Sequence, residues 1–292
     1  MTDLTLSGET PGILPDFPID RRGFIAGVLS AGFALAVRSS PASETLIHTG
    51  SEGLASGEIE IETANGKIPA YRSAPAGSGT FPVILVAHEI FGVHEHIRDI
   101  TRRLARLGYL AIAPELFHRQ GDVSRLKNID EIRGQVLSRL PDEQVLSDLD
   151  AAVVWADEHG GDPGRLGITG FCWGGRITWL YAAHQPRLKA GVAWYGRLVG
   201  EHTALTPRYP IDVAGELKAP VLGLYGGQDQ GIPLDTVKQL RAALKTAGSA
   251  SEIQVYPDAP HAFYADYRPS YHKASAEDGW QRLQAWFKAH GL

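Results

Sequence analysis

Cysteine is almost missing from this chain: Cys172 is the single one in 292 residues. An intrachain disulfide is excluded, and so are a zinc ribbon and a Cys-x-x-Cys redox pair, which need several thiols. Basic clusters are missing too. Lys and Arg number 28 against 33 Asp and Glu, a formal net charge of −5, and no stripe of basic residues could track a phosphate backbone, which argues against a nucleic-acid partner. There is no run of membrane-spanning length, since the apolar stretch Phe24 to Val37 falls short of the about 20 residues a spanning helix needs. Nor is there a Pro/Ser-rich linker, an internal repeat or a low-complexity tract. What remains is ordinary globular composition, 43% hydrophobic and 21% charged with 33 Gly and 18 Pro, which excludes disorder, collagen and a membrane bundle and suits one large domain.

The short apolar run has a use at the N-terminus. Before it stands Asp20-Arg21-Arg22-Gly23-Phe24-Ile25, and after it Ser40-Pro41-Ala42 offers a small-x-small cleavage site. The pattern resembles a twin-arginine export signal. Residues 1–42 are then expected to be a signal peptide and 43–292 a single mature domain, delivered folded to the periplasm. The export machinery is the expected partner during transport, and no stable membrane insertion of the mature chain is expected.

Beyond the signal, strands alternate with helices. Glu58 to Thr63 and Lys67 to Arg72 alternate polar and apolar residues around Asn65-Gly66, a hairpin signal. Phe81 to Ala87 is a continuous apolar run, as a strand buried on both faces requires. Ile97, Ile100, Leu104 and Leu107 recur at helical spacing, with Arg98, Arg102, Arg103 and Arg106 on the other face and Gly108 as the stop. The arginine stripe reads most simply as a solvated face with local partners such as Asp99. Further strands are expected at Tyr109 to Ala113, Arg165 to Thr169, Ala190 to Tyr195, Pro220 to Tyr225 and Ser251 to Tyr256. Helices are expected from near Pro141, at Arg176 to Ala183, at Thr236 to Ala247 and at Ala274 to His290. The alternation predicts an α/β fold, a mainly parallel sheet covered on both faces and opened by antiparallel strands.

Reactive residues gather at strand ends. Gly170-Phe171-Cys172-Trp173-Gly174-Gly175 joins a strand to a helix, giving G-x-C-x-G-G, a nucleophile elbow with sulfur in place of oxygen. Small neighbours permit the sharp turn, and the helix N-terminus behind it favours a thiolate. Asp229 in Gly226-Gly227-Gln228-Asp229 and His261 in Pro260-His261-Ala262-Phe263 each follow a later strand, in the order nucleophile, acid, histidine found in α/β-hydrolases. Cys172, His261 and Asp229 therefore read as a triad. Asp229 could otherwise cap the helix after Pro233, and His261 could be a surface loop residue. Glu89, at the mouth of a buried strand, is open to two readings: a carboxylate raised in pKa by burial that accepts a proton from the thiol, or an ion-pair partner of Arg98 or Arg102. His88, His94 and His96 straddle a strand end and a helix start without a zinc-site frame, so no metal is expected, and Gly226-Gly227 lacks the Lys-Ser/Thr of a phosphate loop. No cofactor is expected.

The segments His88-Glu89-Ile90-Phe91-Gly92-Val93, Gly170 to Gly175, Gly226 to Asp229 and Pro260 to Phe263 resemble the dienelactone hydrolases, or carboxymethylenebutenolidases, of the α/β-hydrolase fold, over a span from about Gly57 to the C-terminus. The resemblance implies Cys172 as nucleophile, His261 as base, Asp229 as its orienting partner, and Glu89 as the group controlling ionisation of the thiol. It implies an oxyanion hole from the N–H groups of Ile90 and Trp173. It also implies arginines holding a substrate carboxylate. Ala265 stands where one would be, Arg268 is the nearest alternative, and Arg119, Arg125, Arg133 and Arg139 are possibilities for a second. The expected activity is cleavage of a small-molecule lactone or ester through an acyl-enzyme. The alternatives are a broad carboxylesterase or thioesterase on the same fold, and a non-catalytic periplasmic binding domain.

Overall fold

A computed structural model describes residues 45–292, so the expected signal peptide lies outside the described residues. The opening hairpin pairs β1 (Leu54–Thr63) with β2 (Gly66–Pro75), and Gly66, at φ +97°, supplies the left-handed backbone that the turn after Asn65 demands. Both strands run beyond the expected limits because each has a partner along its whole length. There follow β3 (Phe81–Ala87), α1 (Glu95–Arg106), β4 (Leu110–Pro114), α2 (Ile129–Gln135), α3 (Asp142–Glu158), β5 (Gly161–Phe171), α4 (Trp173–His184), β6 (Leu188–Trp194), α5 (Pro210–Val213), β7 (Val221–Gly226), α6 (Leu234–Thr246), β8 (Glu252–Tyr256) and α7 (Lys273–Ala289).

The eight strands form one sheet in the order β1-β2-β4-β3-β5-β6-β7-β8, antiparallel through β1, β2 and β4 and parallel from β4 to β8. Val83 to Ala87 of β3 are all buried, so both faces of the central strand are covered, as its unbroken apolar run requires. From β3 the chain moves one way to β4 and then crosses to β5 on the other side. The carboxyl ends on either side of such a reversal leave a crevice, and β3, β5, β6, β7 and β8 all deliver residues to that end.

Three of the four arginines of α1 are covered, contrary to the sequence expectation, and only Arg106 stays exposed. Arg102 is 5% exposed, and Arg98 and Arg103 are largely covered. Residues 45–50 lie across the helix as a strap. The Thr49 N–H donates to Asp99 Oδ1, Arg102 Nε donates to the Thr49 carbonyl at 2.8 Å, and Arg106 reaches the Gly50 carbonyl at 3.1 Å. Arg98 pairs with Glu58 of β1 and lies over the Tyr71 ring of β2. Asp99 does pair with Arg102 and Arg103, as local spacing suggests. Arg103 continues to Asp266 at 2.6 Å, and His96 meets the same carboxylate at 3.0 Å. A guanidinium with five donors tolerates burial when each direction finds an acceptor, and here several come from distant chain.

Candidate active site

Cys172 stands between β5 and the first turn of α4 with φ +54° and ψ −111°, a strained conformation for a residue carrying a Cβ. Close packing holds it there. A Cβ on Gly174 would come within 2.1 Å of the Ala87 carbonyl oxygen, and one on Gly170 within 2.2 Å of the Gly174 carbonyl oxygen. The elbow glycines thus let α4 start directly against the ends of β3 and β5. The Cys172 N–H donates to the Trp194 carbonyl at 3.0 Å, fixing the turn to β6 as well.

The loops after β7 and β8 bring the other two residues to the sulfur. His261 Nε2 lies 3.4 Å from Cys172 Sγ, and His261 Nδ1 lies 2.6 Å from Asp229 Oδ2. The other Asp229 oxygen, Oδ1, accepts from the Gly231 N–H at 2.8 Å and the Ile232 N–H at 3.2 Å. Asp229 therefore orients the imidazole and ties its own loop, but it does not cap the helix after Pro233, whose first turn has no side-chain cap. Burial pushes the pKa of His261 down. Its hydrogen bonds to Asp229 and Cys172, and the charges of both, outweigh burial and carry it to about 10. The ring is thus an imidazolium facing sulfur at neutral pH.

Glu89 follows neither of its expected readings. It is 1% exposed, and no described hydrogen bond joins it to Cys172, Arg98 or Arg102. Instead Tyr267 donates its hydroxyl to Glu89 Oε2 at 2.5 Å, and His94 Nε2 stands 3.4 Å from the same oxygen. Burial pushes this carboxyl up, but His94, His96 and Tyr267 together outweigh it and hold the group well below the usual carboxylate range, opposite to the expected direction. His94, five residues along the chain, contributes most to this lowering, and Tyr267 adds a hydrogen bond from 178 residues away.

Cys172 opens into a cavity of about 630 Å³. Ile90 and Trp173 line it beside the sulfur, and neither N–H has an acceptor among the described hydrogen bonds. The candidates for a second arginine differ in their surroundings. Arg119 is tied to Asp148, Arg125 to Asp122, Arg139 to the Gln135 carbonyl and Arg133 to Asp130 at 3.5 Å, and of the four only Arg133 lines the cavity. Arg268 does not line it; its guanidinium lies over the Phe91 ring, 5.8 Å from the centroid. Sequence reasoning missed three cavity residues. Arg197 is exposed on the wall, with no described ion pair. Arg176 makes a two-point contact with Asp142 at 2.7 and 2.6 Å and stacks on Tyr209. Tyr195 is fully buried at φ +38°, with its hydroxyl unpartnered beside the cavity. Its place directly after a parallel strand was the one available signal.

A parallel sheet with a reactive residue in a strained turn after β5, an acid after β7 and a histidine after β8 defines an α/β-hydrolase. The family model for the dienelactone hydrolase family matches residues 68–291. A protein of Methylorubrum extorquens named "Putative carboxymethylenebutenolidase" is 60% identical over 275 residues, 94% of each chain. One of the same name from Escherichia coli is 54% identical over 268 residues, 91% of this chain and 98% of that one. Among solved structures, a "Putative Dienelactone Hydrolase" from Klebsiella pneumoniae superposes with a TM-score of 0.80 at 57% identity, covering 80% of this chain and 98% of that one. The chain belongs to the dienelactone hydrolase family and is a hydrolase, which sets aside the non-catalytic binding domain.

Proposed function

We propose that the protein cleaves a lactone or ester through a thioester formed on Cys172. The observation that carries this reading is the continuous chain Cys172 Sγ, His261, Asp229 at the wall of a cavity. The sulfur attacks the carbonyl carbon, and the oxyanion accepts from the Ile90 and Trp173 N–H groups. The imidazolium of His261 gives its proton to the departing alkoxide, which in a lactone stays on the same molecule. Neutral His261 then takes a proton from water, hydroxide adds to the thioester, and collapse releases the acid and the thiolate. A substrate carboxylate has a better partner in Arg197 than in Arg268, with Arg133 beside the same cavity. The twin-arginine pattern supports action in the periplasm.

The size of the cavity favours a second reading, a broader carboxylesterase. About 630 Å³ falls in the middle of the range of about 300–1,000 Å³ that takes drug-sized ligands, well beyond the need of a small lactone. Turnover of a panel of lactones and p-nitrophenyl esters by the wild type and by Cys172→Ala tests both. Loss of all turnover in Cys172→Ala, with a small residue in Cys172→Ser, is expected. Full activity in Cys172→Ala overturns the mechanism, while a preference for bulky neutral esters over carboxylate-bearing lactones selects the second reading.

A further inference from the structure

His88 is a fully buried ring whose two nitrogens join two loops. Nε2 accepts from the Leu116 N–H at 3.1 Å, and Nδ1 lies 2.7 Å from the Glu89 carbonyl oxygen. A backbone N–H can only donate, so Nε2 carries the lone pair and the proton sits on Nδ1. Glu115 Oε1 stands 3.4 Å from Nε2 but makes no hydrogen bond. The ring is thus the neutral tautomer that donates to Glu89. A second donor, the Gly92 N–H, reaches the same carbonyl at 3.3 Å.

These contacts fix the plane of the peptide joining Glu89 to Ile90. In a planar trans peptide the N–H points opposite to the C=O, and no cis bond occurs among the described residues. Holding the Glu89 oxygen toward His88 and Gly92 turns the Ile90 N–H the other way. The same imidazole stacks on the Trp173 indole, with centroids 5.5 Å apart and planes at 25°, and meets the Phe117 edge at 4.6 Å. His88 therefore touches the peptide that carries the Ile90 N–H and the side chain of Trp173, the two residues proposed to supply the oxyanion donors.

We propose that His88 is a positioning residue that aims the Ile90 N–H at the oxyanion and sets its spacing from the Trp173 N–H. This rests on the thioester mechanism proposed above. The role needs no change in the protonation of His88 and no contact with substrate.

The test separates carbonyl addition from simple thiol reactivity. Acylation of Cys172 by p-nitrophenyl acetate passes through an oxyanion, whereas alkylation by iodoacetamide does not. His88→Phe keeps an aromatic ring against Trp173 and Phe117 but lacks the donor. His88→Asn places an amide N–H where Nδ1 was. Loss of a whole oxyanion donor costs about 10²–10³ in rate, so a mis-aimed one in His88→Phe is expected to slow acylation by about 10- to 100-fold. Alkylation should stay within about threefold of the wild type, since it draws nothing from the oxyanion donors. His88→Asn should recover most of the acylation rate, with kcat moving and KM nearly constant. Equal losses in acylation and alkylation, or no advantage of His88→Asn over His88→Phe, overturn the proposal. Should His88→Phe not fold, His88→Leu replaces it in the same comparison. Failure of the underlying mechanism is seen separately, as an absence of acylation at Cys172 in the wild type.

Discussion

Asp229 binds two backbone N–H groups with one oxygen and an imidazole with the other, so removing its charge while keeping its shape has a defined effect. In Asp229→Asn the amide oxygen keeps the Gly231 and Ile232 contacts, which turns its NH₂ toward His261 Nδ1 and disfavours the useful tautomer. Two results are expected. The acylation rate should fall by about 10²–10⁴, the scale seen when a triad carboxylate is neutralised. The alkaline limit of activity, set by loss of the His261 proton, should move down from about 10 toward the ordinary histidine range. The sign follows from the raised pKa: the imidazolium state persists through neutral pH and is lost as pH rises through about 10, so a weaker partner narrows that window from the alkaline side. A pH profile of single-turnover acylation measures both.

At the scale of elements, the elbow depends on α4 starting against the end of β3. Gly174→Ala puts a Cβ where the Ala87 carbonyl oxygen stands, and backbone cannot yield as a flexible side chain would. The helix start must shift, taking Cys172 and the Trp173 N–H with it, and a displacement near 1 Å costs about 10²-fold in rate. We expect kcat/KM to fall on that scale while far-UV circular dichroism stays native; an unchanged kcat/KM would show that the turn has slack. These local features could be read directly in the sequence. Asn65-Gly66 marked the hairpin, Phe81 to Ala87 the central strand, and the order of Cys172, Asp229 and His261 the site, because each is encoded within a few residues or by strand order. What could not be read depends on chain brought from far away. The burial of Arg102 needs Thr49, the hydrogen bond that Glu89 receives needs Tyr267, and the place of Tyr195 needs the elbow beside it, and no local pattern specifies such pairings.

Across the whole molecule, the strap of residues 45–50 fastens α1 to the loop after β8, since Thr45 donates to the Asp266 carbonyl at 2.7 Å while Thr49 and Gly50 hold the arginines. Hydrogen bonds to charged groups contribute about 1.5–3 kcal/mol each, and ordering the strap offsets much of their sum. A chain beginning at residue 52 should therefore melt below one beginning at residue 43. A net loss of about 2 kcal/mol lowers Tm by roughly 4–8 °C in a protein of this size. Its kcat/KM should barely change, because the strap does not line the cavity. Equal melting temperatures would show that the strap contributes nothing to stability.

The order of strands also leaves β1 and β8 as the two margins of the sheet, each with one side unpaired among the described strands. Along β1, Glu58, Glu60 and Glu62 recur at every second residue, so all three fall on one face. If the margins of two molecules met antiparallel about Glu60, each Glu58 would stand opposite a Glu62 and the two Glu60 side chains opposite each other. Carboxylates directly across a ladder repel, and charge on a bare strand is a common guard against growth of the sheet from one molecule into the next. Within one molecule Arg98 answers Glu58 and Lys67 answers Glu60 and Glu62, so the hairpin meets its own carboxylates with cations while a second hairpin placed along it would bring only more carboxylates to that face.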